Sequence, residues 1–171
     1  EARAVNKIDH SAIVDIFAFG QLPDGRHYHI MEYVEGETLA HVMGRRGPYD
    51  IGEALDLLRP IARALDAAAA AGIAHRDLKP QNIIVGHDEE GEMKVKLLDF
   101  GVAKLLDDTD PREHETAKGL TLGTPSYMAP EQCTGAPVDH RADIYAFGVL
   151  LFRMLTGTMP FTGPNAFVIM A

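Results

Sequence analysis

The sequence contains one cysteine, Cys133, in 171 residues. That excludes an internal disulfide, leaves a thiolate zinc site without ligands, and fits a reducing compartment. Cys133 itself is expected as a small, half-buried apolar residue. Long apolar runs are also missing: stretches such as Ala67 to Ala71 and Tyr145 to Leu151 fall far short of the roughly 18 residues that span a bilayer. No membrane segment is expected within these residues, and no basic-then-apolar leader opens them at Glu1. Positive charge is scarce as well. Sixteen Lys and Arg against 25 Asp and Glu give −9, so the general surface repels polyphosphate backbones and nucleic acid is not an expected partner. Any phosphate site must be local. Apolar and charged fractions of 46% and 24% are globular proportions, which excludes a disordered tail and predicts one domain, or a large part of one, with a true core.

What is present is patterned. Ala4, Val5 and Ile8 fit the last turns of a helix over residues 1–9. Apolar runs at Ile13 to Phe19 and His27 to Tyr33 flank a Pro23-Asp24-Gly25 turn, which predicts a β-hairpin. His27 and His29 share a strand face, where a metal pair is conceivable but has no third ligand. A short helix over 38–43 is closed by Gly44, Gly47 and Pro48. Asp50 and Glu53 have capping-box spacing, and the apolar stripe Ile51, Leu55, Leu58, Ile61, Ala62 and Leu65 predicts a long helix reaching Gly72, bent at Pro60. Ile83 to Val85 and Val95 to Leu98 predict a second hairpin across an acidic turn. Residues 101–130 lack a period and read as a functional or regulatable loop. A last helix runs from Asp139 as N-cap to Gly157 and, being apolar nearly all round, is expected to be buried.

Chemistry concentrates between the long helix and the second hairpin, in His75-Arg76-Asp77-Leu78-Lys79-Pro80-Gln81-Asn82, with Asp99-Phe100-Gly101 after it. Asp77, Asn82 and Asp99 supply hard oxygen ligands and one base, and Lys79 supplies an ammonium close by. Both arms of one hairpin bring Asn82 and Asp99 toward a common Mg²⁺. Such a set suits phosphoryl transfer, where the protein mainly positions groups and offsets charge.

In order, these segments and Gly123-Thr124-Pro125-Ser126-Tyr127-Met128-Ala129-Pro130-Glu131, followed by Asp143, resemble the motifs of protein kinases. The resemblance implies an α+β, protein-kinase-like fold that is partial. Residues 1–31 would be a remnant of the N-lobe with the end of helix C, 32–38 the hinge, and 39–171 part of the mainly helical C-lobe. It implies ATP and Mg²⁺ as cofactors, Asp77 accepting the proton of the substrate hydroxyl, Lys79 on the γ-phosphate, and Asn82 and Asp99 on magnesium. Lys79 and Thr124 imply a serine or threonine acceptor on a protein substrate. Backbone groups of Glu32 and Val34 would hold adenine, Met31 would guard the pocket behind it, Ile84 would form its floor, and Thr38 would reach toward the ribose.

The resemblance also implies regulation. Arg76 can pair with a phosphate on the long loop, where Thr116 and Thr121 are favoured over Thr109. Val5, Ile16, His75 and Phe100 are expected to stack through the core, with Asp143 anchoring the backbone around His75 and Arg76. Glu1 stands where the family's helix glutamate pairs with a strand lysine, but the sequence has neither that lysine nor a glycine-rich phosphate loop. Residues 1–171 are therefore expected to be a kinase segment with little activity alone, from an active bacterial-type parent. The alternative is a non-catalytic pseudokinase or interaction module. A cytoplasmic location, a parent anchored to a membrane outside these residues, and a dimer formed through the absent N-lobe elements complete the expectations.

Overall fold

The computed structural model describes residues 8–98, 100, 125–163 and 168–169. Two sheets and four helices follow in chain order. Strands β1 (Ile16–Gln21) and β2 (His27–Met31) form an antiparallel ribbon, with a register irregularity between Ile16 and Ala18. The turn forms where Pro23-Asp24-Gly25 places it: Leu22 N donates to Arg26 O at 2.8 Å, and Gly25 takes φ +89°. Almost the whole ribbon is exposed.

A three-stranded antiparallel sheet lies below it in the order β3 (Glu37–Thr38), β4 (Ile83–His87), β5 (Met93–Leu97). Ile13 bridges Leu97 in parallel on the other side of β5: Leu97 N donates to Ala12 O at 2.8 Å and Val14 N to Leu97 O at 3.1 Å. Two backbones meet closely where the segment after β2 crosses β4. A Cβ on Gly86 would lie 2.2 Å from Glu35 O, and one on Gly36 2.5 Å from Val85 O. Gly36 also has φ +145°, a conformation that side chains disfavour.

Helix α1 (Leu39–Arg45) starts at Thr38, whose hydroxyl accepts from His41 N. Helix α2 (Ile51–Ala70) opens with the expected capping box: Glu53 N donates to Asp50 Oδ1 at 2.9 Å, and Asp50 N to Glu53 Oε2 at 3.3 Å. It runs unbroken through Pro60 and ends before Gly72 at φ +74°. A short α3 (Pro130–Thr134) and the long α4 (Arg141–Thr156) complete the described elements. The core lies between α2, α4 and the three-stranded sheet, around the fully buried Leu39, Leu58, Ile61, Leu78, Ile83, Leu97, Leu150 and Met154. The mixed small-sheet and helical architecture agrees with the expected partial α+β fold.

Two expectations about α4 need correction. The helix begins at Arg141, with His140 rather than Asp139 at the cap position. Asp139 still serves the first turn, because its Oδ1 accepts from Arg141 N at 2.9 Å. Nor is α4 buried all round. Ala142, Ala146, Val149, Leu150 and Met154 face inward, while Ile144 and Phe152 are 65% and 43% exposed. Nothing among the described residues covers that side. The helix predicted over 1–9 falls outside the described residues up to position 7.

Candidate active site

The segment 75–82 has little regular structure, so its backbone groups need partners from elsewhere. Asp143 supplies two. Its Oδ2 accepts from His75 N at 2.7 Å and its Oδ1 from Arg76 N at 2.8 Å, placing a buried carboxylate beneath the loop. Arg76 has φ +65°, a left-handed conformation that costs a non-glycine residue about 1–2 kcal/mol. The charge-assisted bonds from Asp143 offset that strain. Gln132 on α3 adds a third tie: Nε2 donates to Arg76 O at 2.7 Å, while its Oε1 accepts from Ala129 N at 3.0 Å.

His75 is wholly buried and acts as a strut. Its Nε2 lies 2.8 Å from Leu98 O, its Nδ1 accepts from Asp77 N at 3.2 Å, and its ring meets that of Phe100 at 4.8 Å. With the ring linking β5's exit to the loop, Asp77 and Leu98 are positioned by the same residue. The predicted His75–Phe100 contact and the Asp143 anchor are thus observed. Ile16 is buried too, and Val5 lies outside the described residues.

Three polar side chains converge at the loop. Lys79 Nζ donates to Asp77 Oδ2 at 2.7 Å, and Asn82 Nδ2 donates to Asp77 O at 2.9 Å and Oδ2 at 3.2 Å. Both donors on Oδ2 come from within five residues of Asp77, because the short 3₁₀ turn Pro80–Asn82 folds Asn82 back before β4 begins. Since the Asn82 nitrogen is committed to Asp77, the amide oxygen is turned away and remains a hard ligand. Leu98 N donates to Asn82 O at 2.8 Å, so the residues flanking position 99 on either side, Leu98 and Phe100, are fixed to this cluster. Among the described residues no group of three His, Cys, Asp or Glu side chains could hold a metal ion.

Of the predicted nucleotide-side residues, two lie on the three-stranded sheet, Ile84 on β4 and Thr38 on β3. Ile84 follows Asn82 by two positions on β4 and pairs with Thr38 across the sheet. The Thr38 hydroxyl is already an acceptor for His41 N, a capping role the sequence reading did not assign, with its proton left to donate. Glu32 N donates to Asp15 O at 2.9 Å. Its side chain turns inward, where Oε1 accepts from Asp15 N at 3.0 Å and pairs with Lys96 Nζ. Burial pushes the Glu32 carboxyl up, but the bonds from Lys96 and Asp15 outweigh it and hold the group below the ordinary value. Lys96, Gln132 and the Arg153–Tyr127 pair were not singled out from sequence. Lys96 could have been noticed as a cation at an otherwise half-buried strand position, whereas the long-range partner of Gln132 left no local signal. Glu1, Asp99, Thr109, Thr116, Thr121 and Thr124 lie outside the described residues.

The loop is thus anchored by a buried carboxylate and presents Asp, Lys and Asn to one point beside a small sheet. The profile of the family "Protein kinase domain" matches residues 1–169. The chain belongs to the protein kinase family. It is 41% identical over 166 residues to the serine/threonine-protein kinase pkn3 of Myxococcus xanthus, covering 97% of this chain and 30% of that protein. It is 45% identical over 164 residues to pkn2 of the same organism, covering 96% and 19%. Against the serine/threonine-protein kinase PknL of Mycobacterium tuberculosis the identity is 40% over 167 residues, covering 97% and 39%. The chain therefore spans well under half the length of these relatives. No described helix is long and apolar enough to cross a membrane.

Proposed function

We propose that these residues are the central part of a catalytic domain that transfers the γ-phosphate of ATP to serine or threonine hydroxyls of proteins. Residues 1–31 would belong to the N-lobe, 32–38 to the hinge and 39–171 to the C-lobe. The observation that supports this most is the convergence of Lys79 Nζ and Asn82 Nδ2 on Asp77 Oδ2 above the Asp143 anchor. In the proposed reaction Asp77 Oδ2 orients the acceptor hydroxyl and takes its proton. Lys79 shifts from the carboxylate to the transferred phosphate and offsets its charge. The Asn82 amide oxygen, together with Asp99, would hold Mg²⁺, which when bound neutralises and orients the phosphates. Backbone groups of Glu32 and Val34 would hold adenine, with Ile84 beneath it, Met31 behind it and Thr38 toward the ribose.

Arg76 would pair with a phosphorylated Thr116 or Thr121, Thr124 would adjoin the acceptor, and Glu1 would pair with a lysine of the N-lobe. The proposal extends to a cytoplasmic catalytic domain and to dimerisation through the N-lobe, read by fractionation and by sedimentation. The deciding experiment is transfer of labelled γ-phosphate by the full-length protein to a Ser/Thr protein substrate. Asp77→Asn is expected to lower kcat by about 10²–10⁴-fold; equal rates would overturn the assignment. A polypeptide of these 171 residues alone, which has no Gly-x-Gly-x-x-Gly loop, is expected to show little or no transfer. Mass spectrometry of the active protein is expected to find phosphate between Asp99 and Glu131, and its absence there would remove the Arg76 role.

A further inference from the structure

In a chain of net charge −9, a cation without a carboxylate is unusual. Among the described residues, Arg26, Arg45, Arg46, Arg59, Lys79, Lys94, Lys96 and Arg141 all lie against one. The exceptions are Arg63, exposed on α2, and two half-buried residues, Arg76 and Arg153. Arg76 already has a proposed phosphate. Arg153 has no such explanation.

Arg153 lies in the last turn of α4, where its charge is favourable to the helix dipole. The dipole accounts for a cation at that end but not for its direction. The guanidinium turns to the buried Tyr127, and Nη1 donates to the phenolic oxygen at 2.6 Å. Burial raises the Tyr127 pKa and Arg153 opposes it, so the phenol stays a neutral acceptor that orients the guanidinium without neutralising it. Tyr127 is also a wall of the site, because it lines a small cavity together with Arg76, Asp77 and Asp143. One side chain therefore joins the loop that carries Asp77 to a cation whose other N–H groups meet no carboxylate among the described residues. A half-buried, uncompensated charge is costly unless an anion arrives to pair with it. A guanidinium fork fits a carboxylate or phosphate.

We propose that Arg153, held by Tyr127, is a specificity residue that takes an anionic side chain of the acceptor protein. The inference rests on the kinase reading above and adds to it a substrate class, acidic or already phosphorylated near the acceptor. Spacing sets the range. Arg153 is ten residues beyond Asp143 on the same helix, about 15 Å along the axis at a rise of about 1.5 Å per residue. An extended peptide covers that length in about five residues, at roughly 3.3 Å each. The anion recognised is thus within about five residues of the phosphoacceptor.

The test uses the full-length protein and peptides with one central Ser or Thr, varying each flanking position out to five residues among Ala, Lys, Asp and phosphoserine. One position is expected to favour Asp over Ala by about tenfold in kcat/KM, the scale of one charge-assisted hydrogen bond. The phosphoserine arm at that position tells an acidic from a primed substrate. Arg153→Gln is expected to flatten the preference, Arg153→Glu to turn it toward Lys, and Tyr127→Phe to weaken it. Should Arg153→Glu fail to fold, the Gln variant carries the comparison. Transfer by the wild-type protein with no anionic preference, or the same preference in the Arg153 variants, overturns the subsite alone. No transfer to any peptide or protein overturns the kinase reading, and the subsite with it.

Discussion

The loop 75–82 and the ribbon β1–β2 solve opposite problems. The loop is irregular yet fixed, because Asp143, Leu98 and Gln132, all distant in sequence, each bond a group of its residues 75 and 76. The ribbon is regular yet largely exposed, and among the described residues the polar ties at its base run through Glu32, Asp15 and Lys96. Regular hydrogen bonding is therefore no guide to rigidity here; what counts is how many buried groups from elsewhere depend on a segment. The proposed chemistry sits on the well-anchored irregular element, and the proposed adenine contact sits on the segment that leads from the exposed ribbon into β3.

The largest way to break this contrast is to remove the anchor. Asp143→Ala leaves His75 N and Arg76 N without their acceptor and Arg76 in a strained conformation, and is expected to cost about 3 kcal/mol in urea unfolding. A loss under 1 kcal/mol would mean the loop is held by other means. Next is Gly86→Ala. The new methyl would overlap the backbone oxygen of Glu35, so β4 or the 33–36 segment must shift, at a cost of about 2 kcal/mol. Unchanged stability together with unchanged amide shifts at 33–37 by NMR would contradict that close approach.

A smaller effect separates ribbon from body. Lys96→Met is expected to cost about 1 kcal/mol at neutral pH, since the pair is largely sheltered. Because the folded Glu32 pKa lies below the ordinary 4.5, its contribution is complete above that pH and is lost as pH falls through the folded value. The gap between wild type and variant should therefore close in acid, and a gap independent of pH would assign the cost to packing. Smallest is Tyr49→Phe. Tyr49 Oη is buried with no hydrogen-bond partner among the described residues, while the ring stacks under Arg46 with the guanidinium carbon 4.1 Å from its centroid. Removing the hydroxyl is expected to be neutral or to stabilise by up to about 1 kcal/mol. Clear destabilisation would show that the oxygen has a partner after all.

Local chemistry made much of this legible. The Pro-Asp-Gly turn, the Asp50–Glu53 box and Gly157 at the end of α4 act over a few residues, and each appears where the sequence places it. The Asp77, Lys79 and Asn82 cluster was legible too, being confined to six residues. Long-range partners were not. Gln132 reaches Arg76, and Lys96 reaches Glu32, and no periodicity encodes either meeting. Helix α3, which begins where the aperiodic stretch 101–130 ends, was not predicted, although Pro130 at its start and Gly135 at φ +72° after its end carried the signal. The error over α4 came from inferring burial from composition: Ile144 and Phe152 have no described neighbour to cover them.

The segment 33–36 has both its ends tied to one sheet, Glu32 to Lys96 of β5 and Glu37 to Val85 of β4. It therefore belongs mechanically to the lower body rather than to the ribbon. Any swing of the ribbon must flex farther up, near the Ile16–Met31 pairing and its register irregularity. A nucleobase resting against positions 32 and 34 would then face a stationary ledge while everything above it tilts.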